Sequence, residues 1–100
     1  MANYRLSKKA DEDFESIYVF GLLNFGLMQA DAYADGLEKR FKQIAALPDL
    51  YPAIDHIKPG YRFSVYQSHS IYYRVDNAGV LIARILRNQE VGAALITSDG

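Results

Sequence analysis

The spacing of apolar residues changes once along the chain, at a segment that contains all of its prolines. Apolar side chains recur at a helical period as far as Leu47, and at every second residue, the period of a strand, from Tyr61. Between them, residues 48–60 hold Pro48, Pro52 and Pro59 and follow neither period, which predicts an irregular loop. This order predicts an α+β fold in which helices precede a sheet.

Two helices are predicted before the loop. Ser7 is a suitable N-cap for the first, which runs from Lys8 to Phe25 with acidic residues in its opening turns, where the helix dipole favours them. Gly26 follows where a residue of positive φ ends a helix, and the second helix then continues to Leu47. A connection this short makes the helices antiparallel, so the first half is predicted to be a helical hairpin.

Strands surround this hairpin in sequence. They are predicted at residues 3–7, 61–66, 71–75 and 81–87. Compact polar connectors at 67–70 and 76–79 join the last three strands into an antiparallel meander, with Gly79 where a hairpin needs a positive φ. The predicted fold class is α+β, with an N-terminal strand and an antiparallel helical hairpin packed on one apolar face of an antiparallel sheet.

Length and composition exclude several classes of protein. The 100 residues suffice for one core, so residues 1–100 are predicted to form a single domain, with 90–100 as a short extra strand or a frayed, flexible tail. Without cysteine, and with only His56 and His69, no thiol chemistry, metal site or other cofactor is expected. No apolar run is long enough for a membrane helix, and no secretory signal opens the chain, so a cytoplasmic protein without membrane contact is expected.

The net charge of −1, from 11 Lys and Arg against 12 Asp and Glu, argues against general or direct sequence-specific DNA binding. A local basic surface remains open, because Arg62, Arg74, Arg84 and Arg87 fall on predicted strands, among tyrosines that include Tyr72. Guanidinium and phenol groups together bind phosphate and stack on bases. The alternative is that these arginines lie on the solvent side of the sheet and pair with carboxylates.

Arg84 fits neither interpretation fully, because it lies on a strand that is apolar on both faces. Cover by a loop or a partner would explain such a central strand.

His69 has serine neighbours, but adjacent strand residues face opposite sides, so Ser-His catalysis is not expected. The acids of the first helix are interpreted as surface residues: Asp11, Glu12, Asp13 and Glu15.

One segment is more apolar than a core requires. Residues 17–23 of the first helix are apolar all round, whereas a helix lying on a sheet keeps one polar face. Either the second helix covers this segment or a partner does. Phe20 and Leu23 are the predicted contact residues if a partner binds there.

The order and spacing of several short patterns resemble a known family. In the helical half these are Leu6-Ser7, Ala10, Asp13, Phe14, Ile17, Gly26, Ala32-Tyr33, Leu37 and Leu47-Pro48. In the sheet they are Gly60-Tyr61-Arg62, His69 to Val75 and Ile82 to Arg87. With these patterns the chain resembles the ParE branch of the RelE/ParE toxins of bacterial type II toxin–antitoxin systems. The resemblance implies a strand, a helical hairpin and a three-stranded meander.

The two branches of this family differ in activity. RelE-like members cut messenger RNA in the ribosome with basic residues and a C-terminal tyrosine, and the equivalent positions here are Ser70, Gln89 and Leu95. The resemblance therefore implies a ParE-like, non-enzymatic toxin that poisons DNA gyrase and arrests growth. Many close relatives have histidine where this chain has Arg87.

The resemblance also implies a partner, a ParD-like antitoxin that wraps the toxin in a hetero-oligomer and whose acidic character strand arginines would complement. Two alternatives remain: a RelE-type ribonuclease using Arg62, Arg84 and Arg87 in an unusual arrangement, and an interaction module that has lost toxicity. The residues predicted to contact partners are Phe20, Leu23, Arg62, Tyr72, Arg74, Arg84 and Arg87.

Overall fold

A computed structural model describes residues 3–88, and its elements follow the order predicted from the sequence. They are β1 (Tyr4–Leu6), α1 (Lys8–Phe25), α2 (Leu27–Ala46), a 3-10 helix (Pro48–Leu50), β2 (Tyr61–Tyr66), β3 (His69–Asp76) and β4 (Gly79–Arg87). The α+β prediction is confirmed, while the predicted tail at 90–100 lies outside the described residues. Within residues 3–88, no helix is long and apolar enough to cross a membrane.

Local signals set the ends of both helices. The Ser7 hydroxyl accepts a hydrogen bond from the Ala10 N–H at 3.0 Å, as an N-cap does. Gly26 separates α1 from α2 at φ 91°, a conformation that a side chain would strain. A Cβ on Gly21 would lie 3.2 Å from the Ala30 Cβ, so glycine lets the two helices approach closely.

The sheet has the strand order β1-β4-β3-β2. The antiparallel pairing of β2 with β3 and of β3 with β4 confirms the predicted meander. β1 adds to the free edge of β4 in parallel, with Tyr4 opposite Val80 and Leu6 opposite Ile82, so the complete sheet is mixed. The sequence predicts this first strand but does not indicate its neighbour.

The first hairpin is tighter than predicted. His69 and Ser70 belong to β3 and pair with Tyr66 and Val65, which leaves a loop of Gln67 and Ser68 only. Gln67 takes φ 52°, because two-residue hairpin loops need positive φ to match the twist of the strands. Gly79, at φ 114°, supplies the positive φ predicted for the second hairpin.

The helical hairpin packs on one face of the sheet, as predicted, and the opposite face is covered as well. On the helix side, Leu37, Phe41 and Ile44 pack with β3 and β4 residues in the main core. On the opposite side a second cluster forms, with Ile54, Tyr61, Tyr72, Ala83 and Leu86. The predicted loop folds back over that side, where the Ile54 N–H donates to the Tyr61 carbonyl at 2.9 Å.

Tyr73 ties the main core to the end of α2. It is fully buried, and its hydroxyl donates to the Pro48 carbonyl oxygen. Burial raises the pKa of its phenol from 10.0 to about 12. The folded state therefore holds this proton more tightly than the unfolded chain does.

This phenol makes stability depend on pH in the alkaline range. Its contribution is fully present below pH 10, the ordinary pKa, and is lost as pH rises towards about 12. We expect the free energy of unfolding, measured by urea denaturation, to fall more steeply between these values in the native chain than in Tyr73→Phe. Equal slopes for the two proteins would contradict this assignment.

Candidate functional site

The turn between the helices carries a cluster of exposed apolar side chains, which we name the hairpin surface. Its members, between 45% and 88% exposed, are Val19, Phe20, Leu23, Phe25, Leu27 and Met28. A single exposed apolar residue is ordinary, whereas six within ten residues form a patch typical of an interaction site. Within the apolar segment 17–23, Ile17 packs against the core, whereas Phe20 and Leu23 are exposed. The rest of the fold therefore covers only part of this segment.

A cavity of about 290 Å³ opens beside the hairpin surface, between α1, α2 and the loop that joins β2 to β3. The buried Leu37 lines it together with the half-exposed Phe20 and Phe25, whose ring centroids are 6.2 Å apart. Because its lining is mainly apolar with a few polar groups, the cavity suits an apolar side chain or a small ligand.

Polar groups gather where the β2–β3 loop borders this cavity. The Tyr33 hydroxyl lies 2.6 Å from His69 Nδ1 and 3.3 Å from the Tyr66 carbonyl oxygen. Burial raises the pKa of Tyr33, which keeps its hydroxyl protonated. The Ser68 hydroxyl is 3.5 Å from His69 Nδ1, too far for a good hydrogen bond, so this geometry does not provide an activated serine.

Arg84 is held by α1. Its Nε and Nη2 donate to the two carboxylate oxygens of Asp13 at 2.8 and 3.0 Å, and the Ile85 N–H donates to the same carboxylate at 3.0 Å. The interpretation of Asp13 as a surface acid is therefore wrong, since both side chains are largely buried.

The reason lies at the edge of the sheet. β1 pairs with β4 only as far as Ile82. Directly after Ile82, the register between β3 and β4 shifts as well. Beyond that point α1 replaces the missing strand, because the Ser7 hydroxyl donates to the Ala83 carbonyl at 2.8 Å and Asp13 accepts from Ile85. The carboxylate thus satisfies both a backbone N–H and the guanidinium.

Arg62 and Arg74 are also engaged. Arg62 lies opposite Tyr73 on the helix side of the sheet, so its predicted solvent-side position is wrong. It donates to the Tyr51 carbonyl at 2.7 Å. Arg74 lies 3.5 Å from Asp76, whose pKa a hydrogen bond from Arg5 lowers. Pairing with carboxylates, the alternative that the sequence left open, describes Arg74 and Arg84 well.

The other predicted contact residues differ in exposure. Phe20 and Leu23 are 52% and 82% exposed, and Arg87 is exposed beside His69 in the strand register. Tyr72 is 1% exposed and stacks on Phe63, so its ring is not available at the surface.

None of the residues at the RelE positions is basic. Ser70 is buried and donates to the Asn88 side-chain oxygen at 2.7 Å. Gln89 and Leu95 lie outside the described residues. Arg62 and Arg84 bind partners on two different elements, and residues 3–88 contain no group of three side chains that would hold a metal ion.

Sequence reasoning missed the roles of two residues: Tyr33, which lines the cavity, and Asp13, which pairs with Arg84. Tyr33 follows the apolar period of α2, so it looked like an ordinary core residue. The signal for Asp13 was indirect: Arg84, on a strand that is apolar on both faces, required a buried anionic partner.

Comparisons with known proteins agree with this fold. Residues 4–92 match the sequence model of a protein family, the ParE toxin of the type II toxin–antitoxin system parDE. The toxin ParE1 of Caulobacter vibrioides is 34% identical over 86 residues, which cover 86% of this chain and 88% of that protein. The toxin ParE1 of Mycobacterium tuberculosis is 33% identical over 89 residues, covering 88% and 91%.

A solved structure supports the same architecture. A chain from the chromosomal ParDE toxin–antitoxin system of P. aeruginosa superimposes with a TM-score of 0.76 at 21% identity, covering 87% of this chain and 96% of that one. At this identity the structural similarity shows the fold alone. Family membership rests on the family match and the two relatives. The chain belongs to the ParE family of toxins of type II toxin–antitoxin systems.

Proposed function

We propose that this toxin inhibits DNA gyrase and that a ParD-like antitoxin neutralises it by covering the hairpin surface. The observation that carries the proposal is the cluster of exposed apolar side chains around Gly26. A toxin that works by binding needs such a surface, and an antitoxin that hides it removes both the activity and an aggregation hazard.

A RelE-type ribonuclease is not favoured. Stabilising a phosphate in a transition state requires several cationic groups aimed at one position. Arg84 is bound to Asp13, and Arg62 to the Tyr51 carbonyl, so neither guanidinium is aimed at a common substrate site. Arg87 is left as the exposed strand arginine of the three.

A supercoiling assay tests the proposed target. Purified gyrase, relaxed plasmid and increasing toxin are incubated with and without the antitoxin, and the products are separated on an agarose gel. We expect inhibition and linear, cleaved plasmid, both reversed by antitoxin. Unchanged supercoiling at high excess of folded toxin, together with cut messenger RNA in expressing cells, would replace gyrase by the ribosome as the target.

Antitoxin binding is expected to depend on Leu23, a member of the hairpin surface that is 82% exposed. Leu23→Asp places a charge where the partner buries apolar area, so the dissociation constant should rise roughly tenfold or more. The measurement is isothermal titration with the cognate antitoxin.

Leu50 provides the matched control for this prediction, because it is 66% exposed in the 3-10 helix, outside the hairpin surface. Leu50→Asp should leave the affinity almost unchanged. Equal losses in the two variants would mean that the antitoxin does not distinguish the hairpin surface from other apolar positions.

A further inference from the structure

A second cavity, which we name the sheet pocket, lies on the face of the sheet opposite the helices. Its volume is about 490 Å³, and its walls come from the loop before β2, from the strands β2 and β3, and from Asn88 after β4. It shares no lining residue with the cavity beside the hairpin surface. Sites for small organic molecules commonly have volumes of roughly 300–1,000 Å³.

The walls of the sheet pocket are mainly apolar. Ile54 and Ile57 contribute from the loop, and Phe63 and Tyr72 contribute from the sheet. The last two rings are nearly parallel, with centroids 5.9 Å apart and planes inclined by 19°. Apart from the exposed His56, none of the described lining residues carries a group that ionises near neutral pH. Such walls favour an aromatic ring and disfavour a charged group.

The hydroxyl of Tyr72 is the unusual polar group of the sheet pocket. Tyr72 is 1% exposed, and its buried hydroxyl lacks a hydrogen-bond partner among the described residues. Burial raises the pKa of this phenol, an effect that the nearby Ser70 hydroxyl partly offsets, so the group keeps its proton. Buried polar groups in proteins are nearly always paired, because an unpaired one is costly. An acceptor atom in the pocket would therefore be bound favourably.

The neighbouring polar groups are paired with one another. The Ser70 hydroxyl donates to Asn88 Oδ1 at 2.7 Å, and Asn88 Nδ2 donates to the Gln67 carbonyl at 3.2 Å. Ser70 thus has no second proton to donate, although its oxygen can still accept a hydrogen bond. The hydroxyls of Ser70 and Tyr72 lie near each other without forming a hydrogen bond. A neutral amide or hydroxyl group could accept from Tyr72 and donate to Ser70 at the same time.

We propose that the sheet pocket is a second binding site of this toxin and takes a neutral aromatic molecule that carries an amide or hydroxyl group. The ring lies beside Phe63 and Tyr72, and the polar group bonds Tyr72 and Ser70. No residue of the sheet pocket belongs to the hairpin surface, so its ligand does not compete for that surface. Binding does not depend on gyrase or on an antitoxin, and it can be tested on the toxin alone.

Benzamide, benzoate and toluene probe this preference with one ring and three different substituents. Each is titrated into the full-length toxin at pH 8, and the shifts of backbone amide signals in NMR spectra give the dissociation constants. We expect benzamide to bind roughly tenfold more tightly than benzoate, because burying a carboxylate costs more than burying a neutral amide. The signals that move should belong to the sheet pocket. Equal affinities for the two probes, or movement of other signals only, overturns the inference.

Tyr72→Phe removes the hydroxyl and keeps the ring. The variant should be at least as stable as the native chain, because the lost hydroxyl has no partner. Benzamide should bind it roughly tenfold more weakly, whereas toluene, which forms no hydrogen bond, should bind it as before. Tyr73→Phe makes the same change at the neighbouring residue, in the main core, and should leave both affinities unchanged. If Tyr72→Phe affects neither probe, or both alike, its hydroxyl does not bind the ligand and the inference fails.

Two further variants locate the site without changing Tyr72. Val65 lines the sheet pocket and is 50% exposed, so the larger side chain of Val65→Trp should fill the pocket and abolish binding of benzamide and toluene. Val75, which is 53% exposed and outside the lining, provides the control, and Val75→Trp should leave both affinities unchanged. Binding that persists in Val65→Trp would place the probes elsewhere and overturn the inference.

Discussion

Phe41→Ala is expected to lower the free energy of unfolding by about 3–5 kcal/mol, the largest single effect predicted for this chain. The Phe41 ring is 1% exposed, and its centroid lies 5.5 Å from that of Tyr4 and 6.2 Å from that of Phe14. It therefore joins α2 to both β1 and α1. Alanine leaves a cavity at that junction. The cavity cannot close, because α1, α2 and β1 are each held in place by their other contacts.

Urea denaturation measures this loss as a lower midpoint at an unchanged slope. Phe25→Ala is the matched control, because it removes the same ring from a position that is 62% exposed. We expect its free energy of unfolding to change by less than about 1 kcal/mol. Similar losses in the two variants would show that Phe41 does not lie in the core as described.

Asp13→Ala is expected to cost about 3 kcal/mol, the range for removing one partner of a buried ion pair. The change leaves the Arg84 guanidinium without its two carboxylate bonds and the Ile85 N–H without an acceptor. The loss should appear in the same denaturation measurement, and toxicity in cells should fall with it because less of the chain is folded.

Two further variants divide this effect. Asp13→Asn keeps an oxygen that accepts from the Ile85 N–H but removes the charge, so its loss should be intermediate. Asp11→Ala removes an exposed acid of the same helix turn and should cost less than about 1 kcal/mol, chiefly through the helix dipole. If Asp13→Ala were no worse than Asp11→Ala, the Asp13–Arg84 pair would not support the edge of the sheet.

The candidate site could be predicted in part. The apolar segment 17–23 indicated a partner surface, and Phe20 and Leu23 are indeed exposed in it. Three further members of the hairpin surface, Phe25, Leu27 and Met28, were missed because they lie beside Gly26 at the ends of the two helices, outside that segment. Sequence alone does not tell which apolar residues of a helical hairpin face solvent, since that depends on how closely α1 and α2 pack at Gly21.

Sequence alone also does not decide the role of the strand arginines. Their spacing allowed either a basic binding surface or pairs with carboxylates, and no local pattern chooses between these. Arg84 and Asp13 are 71 residues apart in sequence, and they meet because β1 ends at Leu6 and α1 then crosses the uncovered part of β4.

Local chemistry by itself determined the ends of the helices and the order of the elements. Ser7 caps α1, Gly26 separates the helices and Pro48 follows α2, each through the conformational preference of one residue. Tertiary structure alone decided the parallel partner of β1, the second core that includes Ile54, and the pairing of Asp13 with Arg84. These depend on which distant surfaces satisfy one another's apolar area and hydrogen bonds, which only the folded chain brings together.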